Sequence, residues 1–428
     1  FKGVLNMFKK RFSIMLLAGI LTLGMTGCGG QTNNSNGANS GGEEKVKLTF
    51  GIWDKIQEDG MKSLVEKFNE KNPNIEVEVQ VTPWDEYWTK MEAAATGGEL
   101  PDVFWMHTNE FLKYASNDML MDLSNLEGTD GYKDYPESLV SLASYKGAVY
   151  GVPKDFDTIA LVYNKEIFDE ANVPYPDESW DWNKLVEVSK QLTNKEKGIY
   201  GFAAALEDQQ GYLPPIAQAG GYVLKDGKSG YTDPNTIEGL QFYVDLANKY
   251  DISPTLAQLA DTNVDTLFQS GKVAMSYLGS WRMSSYVANK DIADKFDIAV
   301  LPKGKERASI INGLSFVGNA STKHPEEVKK FLSFLASKEA QDLQASNGTA
   351  ISARNGSAEE WVKTYPNHNV QVFLDMKEYS VPVATSLTKA KWGKTEREMI
   401  KKMMMGEITV QEGSKVIYDE MTKDLATE

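Results

Sequence analysis

Two hydrophobic periods run along the chain from residue 46 onward. Val46, Leu48, Phe50 and Ile52 alternate with Lys47, Thr49 and Gly51, which predicts a half-buried strand. Met61, Leu64, Val65 and Phe68 follow at the i, i+3, i+4, i+7 spacing of one helix face. Asn72-Pro73 should end that helix, because a residue before proline avoids helical geometry. Ile75, Val77, Val79 and Val81 alternate with Glu76, Glu78 and Gln80, giving a second strand. A strand, helix, strand succession of this kind predicts parallel pairing with a right-handed crossover. Further on, Val264, Leu267 and Phe268 predict a short helix closed by Gly271, with a strand over residues 272–278. Pro325 opens a helix whose Val328, Phe331, Leu332 and Leu335 share a face. The fold class is therefore α/β. Ligands in open parallel sheets sit at the carboxyl ends of strands, so the residues just after the strands are the ones to inspect.

The N-terminal segment reads differently. From Met7, Lys9, Lys10 and Arg11 precede the 16 uncharged residues Phe12 to Gly27, too few for the roughly 20 apolar residues of a membrane-spanning helix. Residues 1–27 fit a secretory signal peptide. Met25-Thr26-Gly27-Cys28 resembles a bacterial lipobox, with Met where Leu is usual, and implies a lipidated Cys28. Gly29 to Gly42 contains only Gly, Gln, Thr, Asn, Ser and Ala, so residues 28–44 should be a lipid-bearing, flexible tether.

Composition narrows the function classes. The 428 residues are 41% hydrophobic, enough for two domains with large cores. A formal charge of −15 argues against nucleic-acid binding. One cysteine excludes a disulfide scaffold or a cysteine-ligated zinc, and three histidines disfavour a histidine metal site. No cofactor is expected.

Nine tryptophans remain. Trp53 follows the first strand, Trp105 follows Asp102-Val103-Phe104, and Trp281 follows the 272–278 strand through Gly279-Ser280. An indole face packs on the C–H face of a sugar, while Asp54, His107, Asn109 and Arg282 beside these rings can bond hydroxyls. Trp84, Trp88, Trp180 and Trp361 are read as core packing. Trp281 is the leading ligand candidate, ahead of Trp105 and Trp392.

Several segments together carry a resemblance. They are Phe50-Gly51-Ile52-Trp53, Pro101-Asp102-Val103-Phe104-Trp105-Met106-His107, Gly151-Val152-Pro153-Lys154-Asp155-Phe156-Asp157, Phe268-Gln269-Ser270-Gly271-Lys272-Val273-Ala274-Met275 and Gly279-Ser280-Trp281. In this order, behind a lipobox, the chain resembles the extracellular solute-binding lipoproteins of sugar ABC importers, the family of maltose-binding protein. The resemblance implies a two-lobed, type II periplasmic-binding-protein-like fold, each lobe a sheet flanked by helices, with a hinge crossed several times. Lobe one would comprise residues 45–157 and 313–349, and lobe two residues 158–312 and 350–428. It further implies a monomer anchored on the outer face of the bacterial membrane, capturing a mono- or oligosaccharide for the permease subunits of an ABC transporter.

Carried over position by position, the resemblance places Trp105 and His107 at sugar-contacting sites on lobe one. Asp155 and Asp157 precede the first crossing, Gly313 lies at the second and Arg354 follows the third. Trp281 matches a stacking tryptophan on lobe two, with Arg282 beside it, and Trp392 and Tyr212 fall near further aromatic positions. Thr108 replaces an acidic residue of maltose-binding relatives, which puts maltose itself in doubt.

A surface-anchored glycoside hydrolase would need two carboxylates about 5–10 Å apart across one bond. Asp155 and Asp157 share a strand face, yet a pair accepting sugar hydroxyls would look the same. No G-x-S-x-G, H-E-x-x-H or P-loop motif occurs, so the chain reads as no enzyme. A polyamine or peptide binder is the other alternative. Asp226 to Asp233 has the composition of a calcium loop without the twelfth-position glutamate, and reads as a polar hairpin.

Overall fold

The first period-two run, β1 (Val46–Ile52), lies parallel to the second, β2 (Ile75–Val81), in register from Val46–Ile75 to Ile52–Val81. Helix α1 (Glu58–Lys71) connects them and buries Met61, Leu64, Val65 and Phe68 against Leu48, Phe50 and Ile52. It stops before Asn72, whose side-chain amide donates to the Phe68 carbonyl at 2.9 Å. These observations come from a computed structural model that describes residues 45–428. The expected signal segment, lipidated Cys28 and tether lie outside the described residues.

Helix α2 (Trp84–Gly97) leads to β3 (Val103–His107), parallel to β1, and α3 (Thr108–Ser116) follows. Short strand β4 (Gly151–Pro153) completes one edge of this first sheet. The second sheet is antiparallel and centred on β5 (Ile159–Asn164), every residue of which is buried. β6 (Met275–Gly279) and β7 (Phe296–Ala299) flank it. β8 (Ser309–Ile311) then returns towards the first sheet, where β9 (Leu314–Gly318) inserts between β3 and β4. The first sheet is thus ordered β2-β1-β3-β9-β4. Helix α4 (Pro325–Ala336) and α5 (Lys338–Ser346) cover it, and α6 (Lys389–Met404) and α7 (Val410–Leu425) close the chain. The predicted short helix is Val264–Gln269, Gly271 takes the left-handed conformation with φ +69°, and the polar hairpin expected over residues 226–233 is centred earlier, pairing Leu224 with Ser229 and Lys225 with Lys228.

Between the sheets the chain crosses three times, and the crossings lie side by side. Asp157 and Asn312 exchange backbone hydrogen bonds of 2.9 and 3.1 Å, and the Phe156 N–H donates to Ile351 O at 3.1 Å. The third crossing does not lead straight into lobe two at residue 350. Ser357 Oγ bonds Asp342 at 2.5 Å, Tyr365 donates its hydroxyl to Gly348 O at 2.8 Å, and Arg354 pairs with Asp134. These contacts hold residues 354–365 against the first lobe. His368 and Asn369, bonded to Ala293 O and Asp297 at 2.8 and 2.7 Å, begin the second.

Candidate functional site

The carboxyl ends of β1, β2 and β3 are adjacent because the strands are parallel neighbours, and each delivers an aromatic group to the same place. Trp53 follows β1, Trp84 follows β2 by way of Thr82-Pro83, and His107 ends β3. Trp53 meets Trp84 edge to face at 5.3 Å, and Trp84 meets His107 the same way at 5.4 Å. Such tilted contacts suit the quadrupoles of the rings. Trp84 is 45% exposed, so the ring read as core is an open face of this cluster. Applying the strand-end rule to β2 as well as to β1 and β3 would have found it.

Trp105 has the opposite fate. It is fully buried under Trp53, at 5.0 Å, with Lys154 Nζ 4.4 Å from its centroid. Trp105 shares a face of β3 with His107 but lies two residues further back along the strand, inside the core, and supports the site from beneath. Lys154 is itself buried, ion-paired with Asp155 and 3.1 Å from Gln57 Oε1. Asp155 accepts the Leu314 N–H at 3.1 Å as well, so its carboxylate is committed to the crossings.

His107 joins the lobes. Its Nδ1 accepts the Asn109 N–H at 3.2 Å, and Nε2 lies 3.0 Å from the Asn312 side-chain amide. Burial, helped by Lys389 and opposed by Asp208, lowers its pKa to about 4, so the ring is neutral at physiological pH. Thr108 Oγ lies 2.6 Å from Asn312 Oδ1 and 2.8 Å from Gly313 O. On lobe two, Gln209 Oε1 faces Asn312 at 3.4 Å. Asn109 Oδ1 and Gln209 Nε2, either side of this junction, are buried without a hydrogen-bond partner among the described residues.

Asp157 lies one crossing away and accepts the Ser280 hydroxyl at 3.0 Å. Burial, and then the Asp155 carboxylate, raise it to about 8. Ser280 carries the neighbouring Trp281, half-buried, whose six-membered ring lies so close over Gly279 that a Cβ there would sit 2.1 Å from it. Beyond the Gln209 turn, lobe two contains a cavity of about 790 Å³ lined by Gln210, Tyr277, Arg282, Lys394 and Arg397 among others.

The remaining expected site residues have structural partners. Asp54 caps the turn before α1 through the Ile56 N–H (2.8 Å) and Gln57 Nε2 (3.1 Å). Trp392 is fully buried in lobe two, its N–H on Ser386 Oγ at 2.9 Å and its ring under Lys389 Nζ at 3.9 Å. Tyr212 is buried in the same lobe. Gly313 packs against the Asp155 carbonyl, where a Cβ would come within 3.0 Å. Arg354 donates to Asp134 and to the Ala336 carbonyl on lobe one, so its charge is already partnered away from the cluster. Lys154, Gln209 and Asn312, absent from the expected set, hold the junction together; their roles depend on pairings between distant segments.

The model for bacterial extracellular solute-binding proteins matches residues 54–342, and the chain belongs to that family. It is 26% identical over 343 residues to a galactooligosaccharide-binding protein of Bacillus subtilis, covering 77% of both chains. To a maltooligosaccharide ABC transporter solute-binding lipoprotein of Streptococcus pneumoniae it is 27% identical over 347 residues, covering 78% of both. Among solved structures, an ABC substrate-binding protein of Listeria monocytogenes in complex with cycloalternan superposes with a TM-score of 0.83 at 22% identity, over 89% of this chain and 99% of that one. A solute-binding protein of Thermotoga lettingae bound with α-D-tagatose gives 0.80 at 25%, over 89% and 100%. The fold is the two-lobed type II periplasmic binding-protein fold.

Proposed function

We propose that the protein captures a mono- or oligosaccharide between its lobes and delivers it to the permease subunits of an ABC importer. One observation carries this reading: the half-open Trp53–Trp84–His107 cluster at the strand ends, with the unpartnered amide atoms of Asn109 and Gln209 beside it. The rings offer dispersion to a sugar's C–H face, and the amide atoms supply one acceptor and one donor for hydroxyls. Trp281 and Asp157 contribute from the second lobe and the hinge, and closure of the lobes excludes water. Relatives named for galacto- and maltooligosaccharides support the solute class. No covalent bond changes: the Asp155 carboxylate, held by Lys154 and the Leu314 N–H, is a hinge strut rather than a nucleophile. A lipid on Cys28 would hold the protein at the outer face of the membrane, a reading that rests on the lipobox-like Met25-Thr26-Gly27-Cys28.

Isothermal titration against a sugar panel is the direct test. Heat with at least one sugar, and with no peptide or polyamine, is the expected outcome. Heat with a peptide or polyamine alone removes the carbohydrate reading, and shortened oligosaccharides after incubation would restore the hydrolase.

A further inference from the structure

The cavity beside the Gln209 turn is cationic in a chain whose formal charge is −15. Lys394, Arg397 and Lys401 follow one another on α6 at helical spacing of three and four, and all three line it, with Arg282 as a fourth cation. None of the three α6 cations has an ion-pair partner among the described residues. The acids in the lining offset Arg282 in part and form no ion pair with the three α6 cations. Glu398 is held at 2.9 Å by Lys402, Asp265 shares itself between Arg282 (3.3 Å) and the Tyr286 hydroxyl (2.9 Å), and burial raises the Glu207 carboxyl towards its neutral form. Two further groups in the lining, Arg282 Nε and Tyr277 Oη, are buried without a hydrogen-bond partner among the described residues. Arg282 Nε–H can only donate, and the Tyr277 hydroxyl can donate. A neutral polyol does not need four cations around it, whereas a group that only accepts hydrogen bonds and carries negative charge satisfies all of them.

We propose that this cavity selects an anionic sugar unit, a carboxylate or sulfate ester on the captured oligosaccharide, through Arg282, Lys394, Arg397 and Lys401. The inference rests on the reading that the solute is a carbohydrate. Gln210 connects the two places: it lines the cavity, accepts the Gly279 N–H at 3.2 Å next to Trp281, and directly follows Gln209 at the lobe junction. A guanidinium at Arg397 or Arg282 meets a planar carboxylate in two parallel hydrogen bonds, which a hydroxyl cannot match.

Titrating the full chain with three trisaccharides that differ only at C6, as alcohol, carboxylate and sulfate ester, tests the proposal. At low salt at least one charged form should bind about tenfold more tightly than the alcohol, and high salt should shrink the ratio. Lys394→Gln with Arg397→Gln should bring that ratio towards one. The wild-type salt series gives the same readout without any variant. Equal or tighter binding of the alcohol overturns the anionic selection and leaves carbohydrate binding standing. Binding of none of the three, with heat from a peptide or polyamine, overturns the carbohydrate reading itself. A charged-form preference unmoved by salt and by the double substitution overturns the assignment to these four cations.

Discussion

Trp84, the first residue of α2, and Trp105, the central residue of β3, both pack on Trp53 and have opposite jobs. Trp84, 45% exposed, should be removable with little loss of stability, under about 1 kcal/mol, while Trp84→Ala weakens sugar binding by about 2 kcal/mol. Trp105→Ala should destabilise the fold by about 3–5 kcal/mol, as for other large buried rings. Urea denaturation and calorimetric titration of both variants separate the two effects, and equal losses in both measurements would contradict the assignment. Asp157 offers a pH test. Its carboxyl is raised to about 8 in the folded protein, so the fold holds a proton that the unfolded chain releases near its ordinary value of about 4. Stability should therefore fall as pH rises between these values. Asp157→Asn, which mimics the protonated form, should flatten the fall of melting temperature between about pH 4 and 8; a variant as pH-sensitive as the wild type would locate the proton elsewhere. Residue types suited to sugar were legible in the sequence, but their exposure was not. Trp105 and Trp392 have the right chemistry and are buried, because the lysine that covers each ring, Lys154 or Lys389, becomes visible only in the packed structure.

Elements were more legible than residues wherever one period ran unbroken. β1, α1 and β2 each present a single apolar face and pair locally, so their sequence dictates their arrangement. β9 does not advertise its neighbours, since Leu314–Gly318 is buried throughout and pairs with strands some 200 residues and 160 residues earlier in the chain. The same holds for residues 354–365, drawn to the first lobe by ion pairing and side-chain hydrogen bonds that carry no periodicity. The end of β6 allows an element-scale test. Gly279→Ala places a methyl group against the Trp281 ring, and either the ring or the strand end must move. Sugar affinity should drop while the far-ultraviolet dichroism stays unchanged, and tryptophan fluorescence should report the displaced ring. Unaltered affinity would remove Trp281 from the site.

At the scale of the molecule, two lobes meet through three adjacent backbone crossings and the His107–Asn312–Gln209 junction. A solute held by both lobes binds the folded protein and not the unfolded chain. A hundredfold excess over Kd should then stabilise the fold by about 2.7 kcal/mol, read as a concentration-dependent rise in melting temperature. A melting temperature unmoved by a sugar that gives calorimetric heat would mean that the ligand sits outside this site.

The placement of β9 has a consequence for how the protein is made. The first sheet lacks an inner strand until the chain has grown roughly 160 residues past β4, because Leu314–Gly318 fills the gap between β3 and β4. Contacts so distant in sequence form slowly, since loop-closure entropy is lost before any pairing is gained. The N-terminal portion of a nascent chain therefore stays threadable while the rest is being synthesised. The first sheet can therefore close only after residue 318 has been made, late in synthesis, and the order of strands delays completion of the first lobe.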